Sequence, residues 1–96
     1  MQTYASATVQ LTNKRGLHAR ASHKFVARAL EFESQIEVKS HNSVCAETVV
    51  ADSVMELLLL GSACGEDITI SARGKDAKKA VSSLITLVKN RFGEED

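Results

Sequence analysis

"YASATVQLTNKRGLHARASHKFVARAL", residues 4–30, carries two apolar rhythms separated by a short polar seam. From Tyr4 to Thr12 the pattern alternates. Ala5, Ala7, Val9 and Leu11 fall on one side and Ser6, Thr8, Gln10 and Thr12 on the other, the period of a half-buried strand. From Ala19 the spacing lengthens to three and four. Ser22, Phe25, Val26, Ala29 and Leu30 then share one stripe, while Arg20, Lys24 and Arg28 share the opposite one, as in an amphipathic helix with a cationic top. Asn13 to Gly16 forms the polar loop between them, so His18 stands at the mouth of the helix.

The same two periods organise the rest of the chain. Gln35 to Ser40 alternates through Ile36 and Val38, His41-Asn42-Ser43 supplies turn chemistry, and Val44 to Val50 is β-branched, which predicts a hairpin. Ser53 opens Val54 to Leu60, and Gly61 ends it, predicting a two-turn helix with a glycine C-terminal cap. Asp67 to Ala72 alternates again as a fourth strand. Asp76 can cap a last helix whose core side is Ala77, Ala80, Val81, Leu84, Ile85, Leu87, Val88 and Phe92. The order β-α-β-β-α-β-α, without linker or repeat, predicts an α+β fold. It reads as a two-layer open-faced sandwich, a four-stranded antiparallel sheet with three helices on one face.

Its 96 residues suit a single domain spanning 1–96, since a chain of this size buries roughly 60–65% of its unfolded surface. Cys45 and Cys64 lie far apart with no partner at metal-ligand spacing, so they read as reduced thiols and no metal site is expected. The longest apolar run, Leu57 to Leu60, is far short of the roughly 20 residues that span a bilayer. No basic segment followed by an apolar one opens the chain. The expectation is a soluble, cytoplasmic protein with no membrane insertion. Twelve basic residues balance twelve acidic ones, but Lys14, Arg15, Arg20, Lys24 and Arg28 share a window free of Asp and Glu, while Glu94, Glu95 and Asp96 close the chain. One end of the fold is therefore expected to be positive.

Gly16 allows a backbone conformation closed to other residues, and a helix starting near Ala19 presents unpaired N–H groups beside His18. The positive end of the helix disfavours a charged imidazole, and the same amides of Ala19 and Arg20 can hold a phosphoryl group attached to it. Arg20 on the first turn can add charge-assisted hydrogen bonds to phosphate oxygens. Phosphoryl transfer needs little beyond alignment and charge stabilisation, so His18 with Arg20 suits a phosphoryl relay. A hydrolase would need a second group to activate water, and no carboxylate or Cys lies near His18 in sequence. The bland alternative is a histidine that caps the helix. His23, on the flank of that helix, and His41, in the hairpin turn, read as structural or solvated.

"NKRGLHARAS" and "ADSVMELLLLGSACGEDITISARG", with the amphipathic last segment, resemble the phosphocarrier HPr family of the bacterial phosphotransferase system. The resemblance covers nearly the whole chain. The "LTNK" lead and the "FGEED" ending are most similar to the HPr and nitrogen-branch HPr-like proteins of proteobacteria. It implies that His18 is the phosphorylated histidine and Arg20 its phosphate-stabilising partner. The phosphoryl group would come from phosphoenolpyruvate through enzyme I and pass to enzyme IIA domains. No cofactor is implied, and the product is a monomeric carrier rather than an enzyme with its own turnover. The family commonly has proline where this chain has Ala21, and alanine is also a good helix former. The hairpin around His41 to Ala46 is a few residues longer than in well-known members.

Ser53 followed by Glu56 is a capping box, which alone accounts for both residues. A phosphate there would also be favoured by the helix end, and the resemblance aligns Ser53 with the regulatory serine that HPr kinase/phosphorylase modifies in many members. The helix after it is too apolar to bury every side chain in two turns. Val54, Met55 and Leu58, rimmed by Arg20, Lys24 and Arg28, are the expected surface for partner docking. Two other classes compete with the relay. One is a regulatory binding module using this surface without phosphorylation. The other is a small nucleic-acid-binding domain, for which four aromatic residues leave little base-stacking surface.

Overall fold

Alternation and amphipathicity sort this chain into two layers. The computed structural model describes residues 3–41 and 48–94. Strand β1 (Thr3–Gln10) leads into helix α1 (Ala19–Ala29). The hairpin strands β2 (Gln35–Ser40) and β3 (Thr48–Val50) follow, then α2 (Val54–Leu60), β4 (Asp67–Gly74) and α3 (Ala77–Lys89). A single 3-10 turn, Arg91–Gly93, comes after α3. The strands pair in the order β1-β4-β2-β3, all antiparallel, with Val9 opposite Ile68 and Val38 opposite Ile70. The α+β sandwich expected from the sequence is the fold observed.

One sheet face is apolar because the residues that alternate inward are Val9, Ile36, Val38, Ile68, Ile70 and Ala72, all buried. Against it pack Phe25 and Val26 of α1, Leu57 and Leu60 of α2, and Ala77, Ala80, Val81, Leu84 and Val88 of α3. The other face is wet. There Ser6 meets Ser71 at 3.2 Å and Thr8 meets Thr69 at 2.8 Å, while the exposed His41 reaches Thr69 at 2.6 Å. No helix among the described residues is long and apolar enough to cross a membrane.

Three details depart from the sequence expectation. Leu30 is 66% exposed: its backbone is still helical, and the 100° step past the buried Ala29 carries it off the apolar stripe that Ala21 joins. Asp76 begins α3 without capping it. Its carboxylate accepts instead from the Glu33 amide at 2.9 Å and the Ser34 hydroxyl at 2.6 Å, clamping the α1–β2 turn. Those bonds, the Ser34 one foremost, hold Asp76 below the usual carboxylate range. Phe92 is buried as expected, but from beyond the helix. The chain leaves α3 through two consecutive left-handed residues, Arg91 and Phe92, each at φ 55°. The predicted strand residues Val44 to Glu47, with Cys45 and the tip of the long hairpin, lie outside the described residues. Cys64 is an exposed free thiol.

Candidate functional site

The loop before α1 is stitched to the loop before β4. Leu17 N–H donates to Ser62 O at 3.1 Å, Leu11 N–H to Glu66 O at 2.9 Å, and Gly65 N–H to Leu11 O at 2.7 Å. Gly16 makes this possible: it sits at φ +60°, and a Cβ there would lie 2.5 Å from Ser62 O. Only glycine satisfies both the conformation and the close approach. The buried Ser22 donates to Leu17 O at 3.0 Å and ties the loop to the helix it starts.

His18 is the N-cap of α1, with extended backbone at φ −70° and ψ 178°. Its Nδ1 accepts from the Arg20 amide at 3.2 Å. An accepting Nδ1 carries no proton, so the proton of the neutral ring is on Nε2. That nitrogen donates to Oε2 of Glu94, whose other oxygen accepts from Asn13 Nδ2 at 3.1 Å. Asn13 is fully buried and also donates to Gly16 O at 2.8 Å, which fixes which end of its amide faces Glu94. Burial works to raise the Glu94 carboxyl, but the hydrogen bonds from Asn13 and His18 outweigh it, and the group titrates below the ordinary glutamate range.

Glu94 is the residue that sequence reasoning missed. No carboxylate is near His18 along the chain; the Arg91–Phe92 turn brings one from its far end. The only sequence signal was the acidic ending itself, read as bulk charge. His18 does cap the helix, and that contact aims Nδ1 at the helix start.

Around the ring opens a cleft of about 670 Å³ whose cationic walls are Lys14, Arg15, Arg20 and Lys24. The Arg20 side chain is exposed in it, and the amide of Arg20, though not of Ala19, is seen on the ring. Lys24 also pins the C-terminal turn, through an Nζ that donates to Phe92 O at 2.7 Å. Arg28 does not reach this cleft. It donates to Ser83 Oγ at 2.9 Å and lines a separate groove with Lys78 and Lys79 of α3.

On α2, which packs beside α1, Ser53 is the N-cap and its hydroxyl accepts from the Glu56 amide at 3.4 Å. Met55 is 68% exposed and Leu58 37%, whereas Val54 is partly buried against the core. Leu59, which the sequence reading passed over, is 71% exposed and takes the place expected of Val54. The 100° step between successive residues turns Leu57 and Leu60 inward and leaves Leu59 with Met55 outside. Among the described residues no group of three or more His, Cys, Asp or Glu is placed to hold a metal ion.

A histidine capping a helix after a left-handed glycine, in a cationic cleft of a four-stranded open-faced sandwich, invites comparison with known proteins. The family model described as "PTS HPr component phosphorylation site" matches residues 5–90. The chain belongs to the HPr family. HPr is a phosphocarrier component of the phosphotransferase system, and this chain shares that function.

Phosphocarrier protein HPr of Cupriavidus necator is 37% identical over 84 residues, covering 88% of this chain and 90% of its own. Phosphocarrier protein NPr of Escherichia coli K12 is 34% identical over 88 residues, 92% of this chain and 94% of its own. Among solved structures, HPr of Thermoanaerobacter tengcongensis superposes with a TM-score of 0.87 at 38% identity, covering 96% of this chain and 99% of that one. Similarity to both HPr and NPr agrees with the resemblance carried by the "GLHAR" and "FGEED" segments.

Proposed function

We propose that His18 accepts a phosphoryl group on Nδ1 from phosphorylated enzyme I, the group originating in phosphoenolpyruvate, and passes it to enzyme IIA domains. The observation that carries this reading is the division of the ring: Nε2 is engaged by Glu94, while the Nδ1 lone pair faces the Arg20 amide at the start of α1 in an open cationic cleft. Only Nδ1 is left to act as nucleophile. The Arg20 amide that now donates to Nδ1 is placed to turn to a phosphoryl oxygen once the lone pair is used. Ala19 offers a second amide, and the Arg20 guanidinium a charged fork. A loose transition state asks for alignment and charge compensation, and the site supplies both.

The remaining roles follow from place and charge. Lys24, Met55, Leu58 and Leu59 form the surface on which enzyme I and enzyme IIA domains dock in turn. Ser53, half-buried at the edge of that surface, is the regulatory position for an HPr kinase/phosphorylase, where an added dianion would meet the partner. The chain is one domain and a monomer working in the cytoplasm. It carries phosphate without a turnover of its own. Incubation with enzyme I and phosphoenolpyruvate tests the reading. Intact mass gains one acid-labile phosphate in the wild type and none in His18→Ala; no uptake by the wild type would favour a binding module that is never phosphorylated.

A further inference from the structure

The C-terminal turn adopts a conformation its residues disfavour. Arg91 and Phe92 are both left-handed at φ 55°, where a β-carbon crowds the backbone, so the surroundings must impose the shape. The Phe92 ring is buried to 1% exposure, its carbonyl is held by Lys24, and Gly93 N–H and Glu94 N–H each donate at 2.9 Å, to Asn90 O and Arg91 O. All of this order delivers one side chain. The Glu94 carboxylate has one oxygen on Asn13 and the other on His18 Nε2.

On the reading that His18 carries the phosphoryl group, we propose that Glu94 is a positioning residue that keeps the proton on Nε2 through both halves of the relay. The phosphorylated ring then stays a protonated, readily cleaved phosphoramidate. In the first half the Nδ1 lone pair forms a bond to phosphorus, and the bond to the leaving atom of the phosphorylated donor protein breaks with its electron pair going to that atom. No proton moves. The ring gains one positive charge, which Glu94 faces across the Nε2 hydrogen bond. In the second half the acceptor's nucleophile attacks phosphorus and the nitrogen–phosphorus pair returns to Nδ1, leaving a neutral imidazole with its proton still on Nε2. A ring stripped of that proton would leave as an anion, which is a far poorer leaving group.

The charges around the ring explain why such a partner is needed. Lys14, Arg15, Arg20 and Lys24 favour the arriving phosphate but disfavour a cationic ring, and among the described residues lining the cleft Glu94 is the carboxylate that offsets them. It is ionised at neutral pH, since its hydrogen bonds hold it below the ordinary glutamate range.

The test uses the phosphorylated full chain and Glu94→Gln, whose amide has the same shape without the charge. Loss of phosphate to water is followed by phosphorus NMR between pH 5 and 10, with the Nε2 chemical shift recorded in the same samples. In the wild type the rate falls as Nε2 loses its proton. In Glu94→Gln that midpoint moves to lower pH by on the order of one unit, and between the two midpoints the variant dephosphorylates up to about tenfold more slowly. Coincident profiles for two phosphorylated proteins would overturn the role of Glu94 while leaving His18 as carrier. Failure of the wild type to take up phosphate would overturn both.

Discussion

Arg20 and Glu94 hold opposite nitrogens of one ring: the Arg20 amide donates to Nδ1 of His18, and the Glu94 carboxylate accepts from Nε2. The two contacts come from opposite ends of the chain and together select a single tautomer. Helix α1 contributes the amide, the C-terminal turn contributes the carboxylate, and Gly16 sets the ring between them. The placing of this ring is therefore tertiary structure built around a local motif.

Gly16 is the most vulnerable point in that arrangement. Gly16→Ala places a β-carbon 2.5 Å from Ser62 O in a left-handed conformation. Strain and overpacking together should cost roughly 2–4 kcal/mol in urea unfolding, and phosphorylation of the folded fraction should slow as His18 shifts off the helix start. An alanine variant with wild-type stability would contradict this geometry.

The Glu94 contacts predict a pH dependence of stability. A carboxyl held below its ordinary value contributes stability that is fully present above the unfolded value, 4.5 for glutamate, and is lost as pH falls through the folded value beneath it. Stability measured from pH 6 down to pH 3 should fall more steeply in the wild type than in Glu94→Gln. Parallel curves would remove the Asn13 and His18 contacts from the account.

Phe92 anchors the turn that carries Glu94. Phe92→Ala removes a fully buried ring and should cost roughly 3–5 kcal/mol. In the milder Phe92→Leu the fold survives, and the separation of pH profiles expected between wild type and Glu94→Gln should shrink, because the carboxylate is no longer delivered to Nε2. Retention of the full separation would show that the turn does not position Glu94.

Much of this was legible in residues 4–30. The switch from a period of two to one between three and four located β1, α1 and the histidine between them, because burial on one face is written into the sequence wherever side-chain direction repeats. Asp76 was misread because its best partners, the Glu33 amide and the Ser34 hydroxyl, come from a distant turn and outcompete its own helix. The place of Glu94 beside His18 is not written in the acidic ending for the same reason: no local pattern predicts that Arg91 and Phe92 adopt a left-handed turn when neither is glycine. Leu59 was recoverable in principle, since at 100° per residue it lies 200° from the buried Leu57 and 100° from the buried Leu60, which points it outward.

Ser53 separates capping from regulation. Ser53→Ala should cost about 0.5–2 kcal/mol through loss of the cap, seen in thermal unfolding. Ser53→Asp keeps an acceptor for the Glu56 amide and should regain most of that stability while slowing phosphoryl transfer from enzyme I, because the added charge sits at the docking edge. Equal transfer rates in Ser53→Asp and wild type would leave Ser53 as a cap alone.

Leu59 tests the docking face. Leu59→Glu should change stability by less than about 0.5 kcal/mol, as expected for an exposed site. It should raise the KM of enzyme I for this carrier roughly fivefold or more with kcat little changed. An unaltered KM would place the partner elsewhere on the molecule.

The atom that receives the phosphate decides the matter most directly. With the chain labelled in nitrogen-15 and phosphorylated by enzyme I, the nitrogen–phosphorus coupling should appear on Nδ1 of His18, with Nε2 still bearing its proton near neutral pH. Coupling on Nε2, or phosphate on any residue other than His18, would contradict the account.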